Sequence, residues 1–183
     1  MAGGVGRSDN PIDVLYGEMQ IAERNGVLAQ DITQTIGQEF LVVAVLKGSF
    51  VFAADLVRAL HNAGAHPQID FMTLASYGSG TKSSGNVEVI RDVRDSVVDR
   101  HILLIDDILE SGRTLDYAKR LLLERGASSV RVCVLLDKPG KRAADIDAEF
   151  VGFVCPDKFV IGYGLDYANY YRELPYIGVL RQD

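Results

Sequence analysis

Cysteine and histidine are scarce in this chain, and no stretch is apolar for long. The two cysteines, Cys133 and Cys155, lie in separate apolar runs of a 183-residue sequence, without Cys-x-x-Cys spacing. That excludes a disulfide framework and predicts two buried, reduced thiols. The three histidines, His61, His66 and His101, show no metal-ligand spacing. No apolar run approaches the roughly 20 residues of a membrane-spanning helix. Cations are in deficit: 19 Lys and Arg stand against 25 Asp and Glu, a net charge of −6. The deficit leaves no basic footprint for nucleic acid. The Gly-x-x-x-x-Gly-Lys-Ser/Thr pattern of a P-loop is absent. The Gly-rich start carries no apolar signal core, so the expected location is the cytoplasm, with no membrane contact.

What is present is an ordinary globular composition, 48% apolar and 24% charged. A chain of this length buries roughly 70% of its unfolded surface and needs no metal or disulfide to hold a core. Residues 1–183 read as one domain. Residues 1–11 read as a loose arm. Apolar spacing predicts a helix over 12–25 and a second, weaker one over 31–40. The unbroken run Leu41-Val42-Val43-Ala44-Val45-Leu46 predicts a strand buried on both faces, the mark of a parallel sheet. A helix over 51–63 follows, then a strand over 69–75. Residues 76–88 are polar and Gly-rich, and read as a mobile functional loop. Further strands are predicted at 101–106 and 130–136, with a helix at 115–125 between them. The alternation predicts an α/β fold, a mainly parallel twisted sheet with flanking helices. The tail, about 139–183, reads as a small cover over that sheet.

One segment carries chemistry: Ile102-Leu103-Leu104-Ile105-Asp106-Asp107-Ile108-Leu109-Glu110-Ser111-Gly112-Arg113-Thr114. A buried strand runs into two carboxylates, then a third, then a Ser-Gly-Arg-Thr turn that opens a helix. Ligands of open α/β sheets bind beyond the carboxyl ends of the strands. The first amides of the helix are unpaired and carry the positive end of its dipole. Gly112 lets a phosphate approach the backbone, and Ser111 and Thr114 add hydroxyls. Asp106 and Asp107 are acceptors placed for the vicinal hydroxyls of a sugar. A phosphate cradle beside diol acceptors describes a ribose 5-phosphate site.

This segment resembles the phosphoribosyl-diphosphate signature of type I phosphoribosyltransferases. More specifically, the chain from about Val45 to Val179 resembles the hypoxanthine-guanine phosphoribosyltransferases. The other landmarks come in order: Leu46-Lys47-Gly48, Ser76-Tyr77, Leu136-Asp137-Lys138-Pro139, Pro156-Asp157-Lys158-Phe159-Val160, and Gly164-Leu165-Asp166-Tyr167 followed by Arg172.

The resemblance implies transfer of a phosphoribosyl group to an oxopurine with Mg²⁺, in a homodimer or homotetramer. It implies that Asp106 and Asp107 hold the ribose hydroxyls, directly or through the metal. Ser111, Gly112, Arg113 and Thr114 would bind the 5-phosphate. Lys47, Gly48 and Arg172 would meet the diphosphate, with a cis peptide at Leu46–Lys47. Ser76 and Tyr77 would head a closing loop. In the tail, now read as a hood completing the base pocket, Lys138 would donate to the purine 6-oxygen and Phe159 would stack on the ring. The backbone of Lys158 and Val160 would read the opposite edge, and Asp166 would reach Mg²⁺ through water. The departure is Glu110, where the family usually has the Asp proposed to take the purine N7 proton. Glu110 is then the base through a longer arm, or the proton leaves by water and Glu110 stabilises charge.

Overall fold

The structure is a computed structural model and describes residues 11–77 and 86–181. In chain order it contains β1 (Ile12–Tyr16), α1 (Glu18–Ile36), β2 (Leu41–Leu46), α2 (Phe50–Asn62), β3 (Gln68–Tyr77) and β4 (Asn86–Arg91). There follow β5 (His101–Leu109), α3 (Arg113–Glu124), β6 (Ser129–Asp137), a 3-10 turn (Pro139–Lys141), β7 (Phe150–Val154) and β8 (Ile177–Leu180). Six strands form one sheet in the order β4-β3-β2-β5-β6-β7, all neighbours parallel except β3 and β4.

The apolar runs become central strands because alternate residues feed two cores. Val42, Ala44, Leu103, Ile105, Cys133 and Leu135 face one side, where Ile21, Leu28 and Ile32 of α1 and Phe52, Leu56 and Leu60 of α2 cover them. Leu41, Val43, Ile102, Leu104, Val132 and Val134 face the other, under Leu115, Ala118 and Leu122 of α3. Both cysteines are buried and unpaired. Edge strand β7 is covered by Arg24, which donates from Nε to the Gly152 carbonyl at 2.8 Å and from Nη2 to the Val151 carbonyl at 2.7 Å.

Three sequence expectations are corrected. Residues 12–16 are a strand, because they pair antiparallel with β8, about 165 residues on. The two short helices are one: Ile21, Asn25, Leu28 and Ile32 share a buried face through Gly26, and the helix stops at Gly37, with φ 103°. The segment 76–88 is not all loop. β3 continues to Tyr77, and residues 86–91 pair back on it antiparallel, Tyr77 opposite Asn86. The remainder, 78–85, lies outside the described residues, as does most of the expected arm.

The tail packs on the β1–β8 ribbon. Tyr16 stacks on Phe153 with ring centres 4.2 Å apart, and Ile161 bridges Gly178. Buried Tyr163 donates its hydroxyl to Asp55 Oδ2 at 2.5 Å and accepts from Asn25 Nδ2 at 2.9 Å, so it ties the tail to α2 and α1. The expected C-terminal cover therefore includes the first strand of the chain.

Candidate active site

β2 and β5 are neighbours at the centre of the sheet, with β3 beyond one and β6 beyond the other. The chain leaves these two strands over opposite faces, through α2 and α3. A crevice at such a switch point is where open parallel sheets hold ligands. Lys47–Ser49 enters it from β2 and Asp106–Ser111 from β5.

The two segments touch. A Cβ placed on Gly48 would lie 1.6 Å from Asp107 Oδ2, so any larger residue here would push the carboxylate from its place. The Leu46–Lys47 peptide bond is cis, where the resemblance implied it. On the other side, a Cβ on Gly164 would lie 2.2 Å from the Gly48 carbonyl oxygen, which brings the tail against the same loop.

Asp106 is only 9% exposed. Its Oδ1 accepts the Asp107 N–H at 2.9 Å. Burial, and then the charge of Asp107, push its carboxyl well above the usual carboxylate range. Burial raises Asp107 as well, against the pull of Asp106, backbone N–H groups and the Arg172 guanidinium. Charge on this pair is costly, and hydroxyl donors or a cation would relieve it.

After the pair the chain turns through Gly112, at φ 80°, into α3. A Cβ at Gly112 would lie 2.6 Å from Ile146 Cγ2, a second reason for glycine there. Residues 106–112, with Thr114 and Leu115, line a pocket of about 260 Å³ at the helix N-terminus. Its amides and dipole favour an anion. Arg113 begins the helix and is exposed.

A second pocket, of about 530 Å³, shares Asp107, Ile108 and Glu110 with the first. Lys138, Lys158, Phe159, Val160, Leu165 and Asp166 also line it. Lys138 is 8% exposed, and its Nζ donates to the Lys158 carbonyl at 2.6 Å. Val160 is buried, whereas Phe159 is 57% exposed and meets Tyr167 edge to face at 5.8 Å. Asp166 pairs with Arg172 at 2.7 Å and accepts the Asn169 N–H at 2.7 Å. Arg172 also donates to the Gly164 carbonyl at 2.6 Å. Both groups are thus engaged within the tail.

The structure brings together Lys47–Gly48, Asp106–Thr114, Lys138, Lys158–Val160 and Asp166–Arg172 around one crevice. Ser76 and Tyr77 end β3, and the loop they were expected to head lies outside the described residues. Sequence reasoning missed Lys141 and Asp157, which line the second pocket, and Arg142, which donates to the Glu110 carbonyl at 3.0 Å. Lys141 and Arg142 follow Lys138 within one short turn, which in sequence looks the same as a solvated basic run.

A helix N-terminus that favours an anion and a pocket lined by cations and an aromatic ring thus adjoin at shared carboxylates. The family of the phosphoribosyl transferase domain matches residues 12–168, and the chain belongs to it. It is 47% identical over 169 residues to the hypoxanthine-guanine phosphoribosyltransferase of Bacillus subtilis, covering 92% of each chain. It is 46% identical over 171 residues to the bifunctional protein TilS/HprT of Listeria monocytogenes, and spans only about a quarter of that protein, 26%. A crystal structure of a hypoxanthine phosphoribosyltransferase from Staphylococcus aureus superposes with a TM-score of 0.87 at 43% identity, over 92% of this chain and 91% of that one.

Proposed function

We propose that this protein transfers the 5-phosphoribosyl group of phosphoribosyl diphosphate to hypoxanthine, and also to guanine, giving IMP or GMP and diphosphate. This is a purine-salvage reaction of the cytoplasm. The observation that carries the reading is the pair of adjoining pockets that share Asp107, Ile108 and Glu110. One suits a phosphate and the other a purine, and the bond to be exchanged falls between them.

In this reading the amides and hydroxyls of Ser111, Gly112, Arg113 and Thr114 grip the 5-phosphate. Asp106 and Asp107 accept from the ribose hydroxyls and fix C1′ at the mouth of the base pocket. Lys47 and Gly48 receive the diphosphate, with Arg172 behind them. Phe159 stacks on the purine and Lys138 donates to its 6-oxygen. The backbone at Lys158 and Val160 meets the opposite edge. Ser76 and Tyr77 lead the loop that covers the site. The C1′–diphosphate bond breaks with its electron pair leaving on the diphosphate, and the purine nitrogen closes the new bond to C1′. The purine proton passes to Glu110, the general base.

Mg²⁺ fits the donors present. Asp106, Asp107 and Asp166 offer hard carboxylate oxygens, and the costly charge of the first two favours a cation beside them. Among the described residues no three such side chains cluster as a metal site, so these carboxylates would hold the ion only together with ligands from outside the chain. Bound there, it neutralises the leaving diphosphate. Asp166, paired with Arg172 and Asn169, would reach the ion through water. We read 1–183 as one domain with 139–183 as its hood, and the active form as a homodimer or homotetramer.

The test is a spectrophotometric assay with phosphoribosyl diphosphate, Mg²⁺ and, in turn, hypoxanthine, guanine, xanthine and adenine. Turnover of oxopurines and none of adenine is the expected result. Folded protein that binds phosphoribosyl diphosphate but turns over no base would overturn the reading. Within it, Lys138→Ala costs far more with hypoxanthine than replacement of a surface lysine does.

A further inference from the structure

Glu110 has one more rotatable bond than an aspartate, so its carboxylate needs restraint to stay at the purine pocket. The turn that follows β6 supplies it. Lys141 Nζ lies 3.4 Å from Glu110 Oε1 and 2.7 Å from Asp157 Oδ1. Asp157 belongs to the segment that carries Lys158 and Phe159 into the same pocket. Arg142, itself paired with Asp137, holds the backbone carbonyl of Glu110. Lys138 is not equivalent to Lys141. Its ammonium bonds the Lys158 carbonyl and stays 3.8 Å from Glu110.

We propose that Lys141 is a positioning residue for Glu110: its ammonium ties the Glu110 carboxylate to Asp157, which lines the same pocket, and so holds the long acid in one working orientation. The proposal rests on the reading of Glu110 as the base and adds what places it. The Lys141 side chain is 56% exposed, and exposed ion pairs contribute little to stability. Its effect therefore falls on the placement of the carboxylate rather than on the fold. Asp157 first, and Glu110 second, hold the Lys141 ammonium above its ordinary range, in keeping with a shared cation.

The experiment compares Lys141→Ala, Lys141→Arg, Glu110→Gln, Glu110→Asp and the double variant Lys141→Ala/Glu110→Asp in steady-state assays with hypoxanthine. Lys141→Ala is expected to lower kcat about tenfold with the KM for phosphoribosyl diphosphate and the Tm unchanged, because small misplacements of a reacting group are costly. Lys141→Arg restores most of the loss. In the Glu110→Asp background the same alanine change has less than about a twofold effect, since the shorter acid does not reach the ammonium. An equal loss in both backgrounds, or no loss in either, would overturn the positioning role while Glu110→Gln remains inactive. Full turnover by Glu110→Gln would instead overturn the base reading, and the proposal with it.

Discussion

Asp70 on β3 and Asp106 on β5 are both nearly buried, 8% and 9% exposed, yet their carboxyls shift in opposite directions. Burial works against the charge of each. At Asp70 three backbone N–H groups outweigh it, from Phe71 at 2.7 Å, Arg94 at 2.5 Å and Asp95 at 3.2 Å. Its pKa falls below 3.8, and the acid pins the chain after β4 to β3. Asp106 has one backbone donor and a second carboxylate beside it, and its pKa rises. The first acid has its donors in the fold; the second has only the one, as expected of the ribose-holding acid in the proposed reading.

The strongest way to break this comparison is Asp106→Asn. Turnover should fall by about 10³, since Asn keeps one acceptor oxygen but loses the charge and the second oxygen that the ribose hydroxyls and a cation would use. Stability at pH 7 should rise. Because the folded-state pKa lies above the unfolded 3.8, the native state binds the extra proton in that window, and wild-type stability falls as pH climbs through it. The gain of the variant should vanish below pH 3.8, as calorimetry across pH would show. A destabilised Asp106→Asn at neutral pH would mean that the acid is structural after all.

Gly48→Ala comes next. Its methyl group would have to displace Asp107 Oδ2, 1.6 Å away. A loss of about 10² in kcat/KM for phosphoribosyl diphosphate is expected, measured with hypoxanthine saturating. A near-normal variant would show that the contact of Gly48 with Asp107 does not set the site.

Asp70→Asn should have the smallest effect on catalysis, within about twofold, and a loss of about 1–2 kcal/mol in urea unfolding at pH 7. Its sign with pH is opposite to that of Asp106. A depressed pKa gives stability that is present above 3.8 and lost as pH falls through the folded value. The gap between wild type and variant should therefore narrow in acid.

Most of the fold was legible because it is written locally. The runs 41–46, 101–106 and 130–136 are short, apolar and rich in β-branched residues, which favours buried strands, and each strand runs into a turn where its chemistry begins. The phosphate half of the candidate site is equally contiguous, with Asp106 to Thr114 contained in one strand-to-helix turn. The purine half is scattered over Glu110, Lys138, Lys141, Asp157, Phe159 and Asp166, and only the resemblance to a family pointed to most of it. Lys141 and Asp157 were missed because a charged residue on an exposed turn looks the same in sequence whether it meets water or another charge.

By itself the sequence determined the α/β class, the double-faced core, the glycine at Gly112 and the order of acids along β5. Each follows from side-chain periodicity or from the backbone freedom of one residue. Tertiary structure alone decided that residues 12–16 are a strand, because their hydrogen-bond partners are supplied by β8. It also decided the charge cost of Asp106 and Asp107, the closeness of Gly48 and Gly164, and the bridge from Glu110 through Lys141 to Asp157. Those depend on which groups meet across the crevice and on how much water is left between them, and neither quantity is carried by neighbours along the chain.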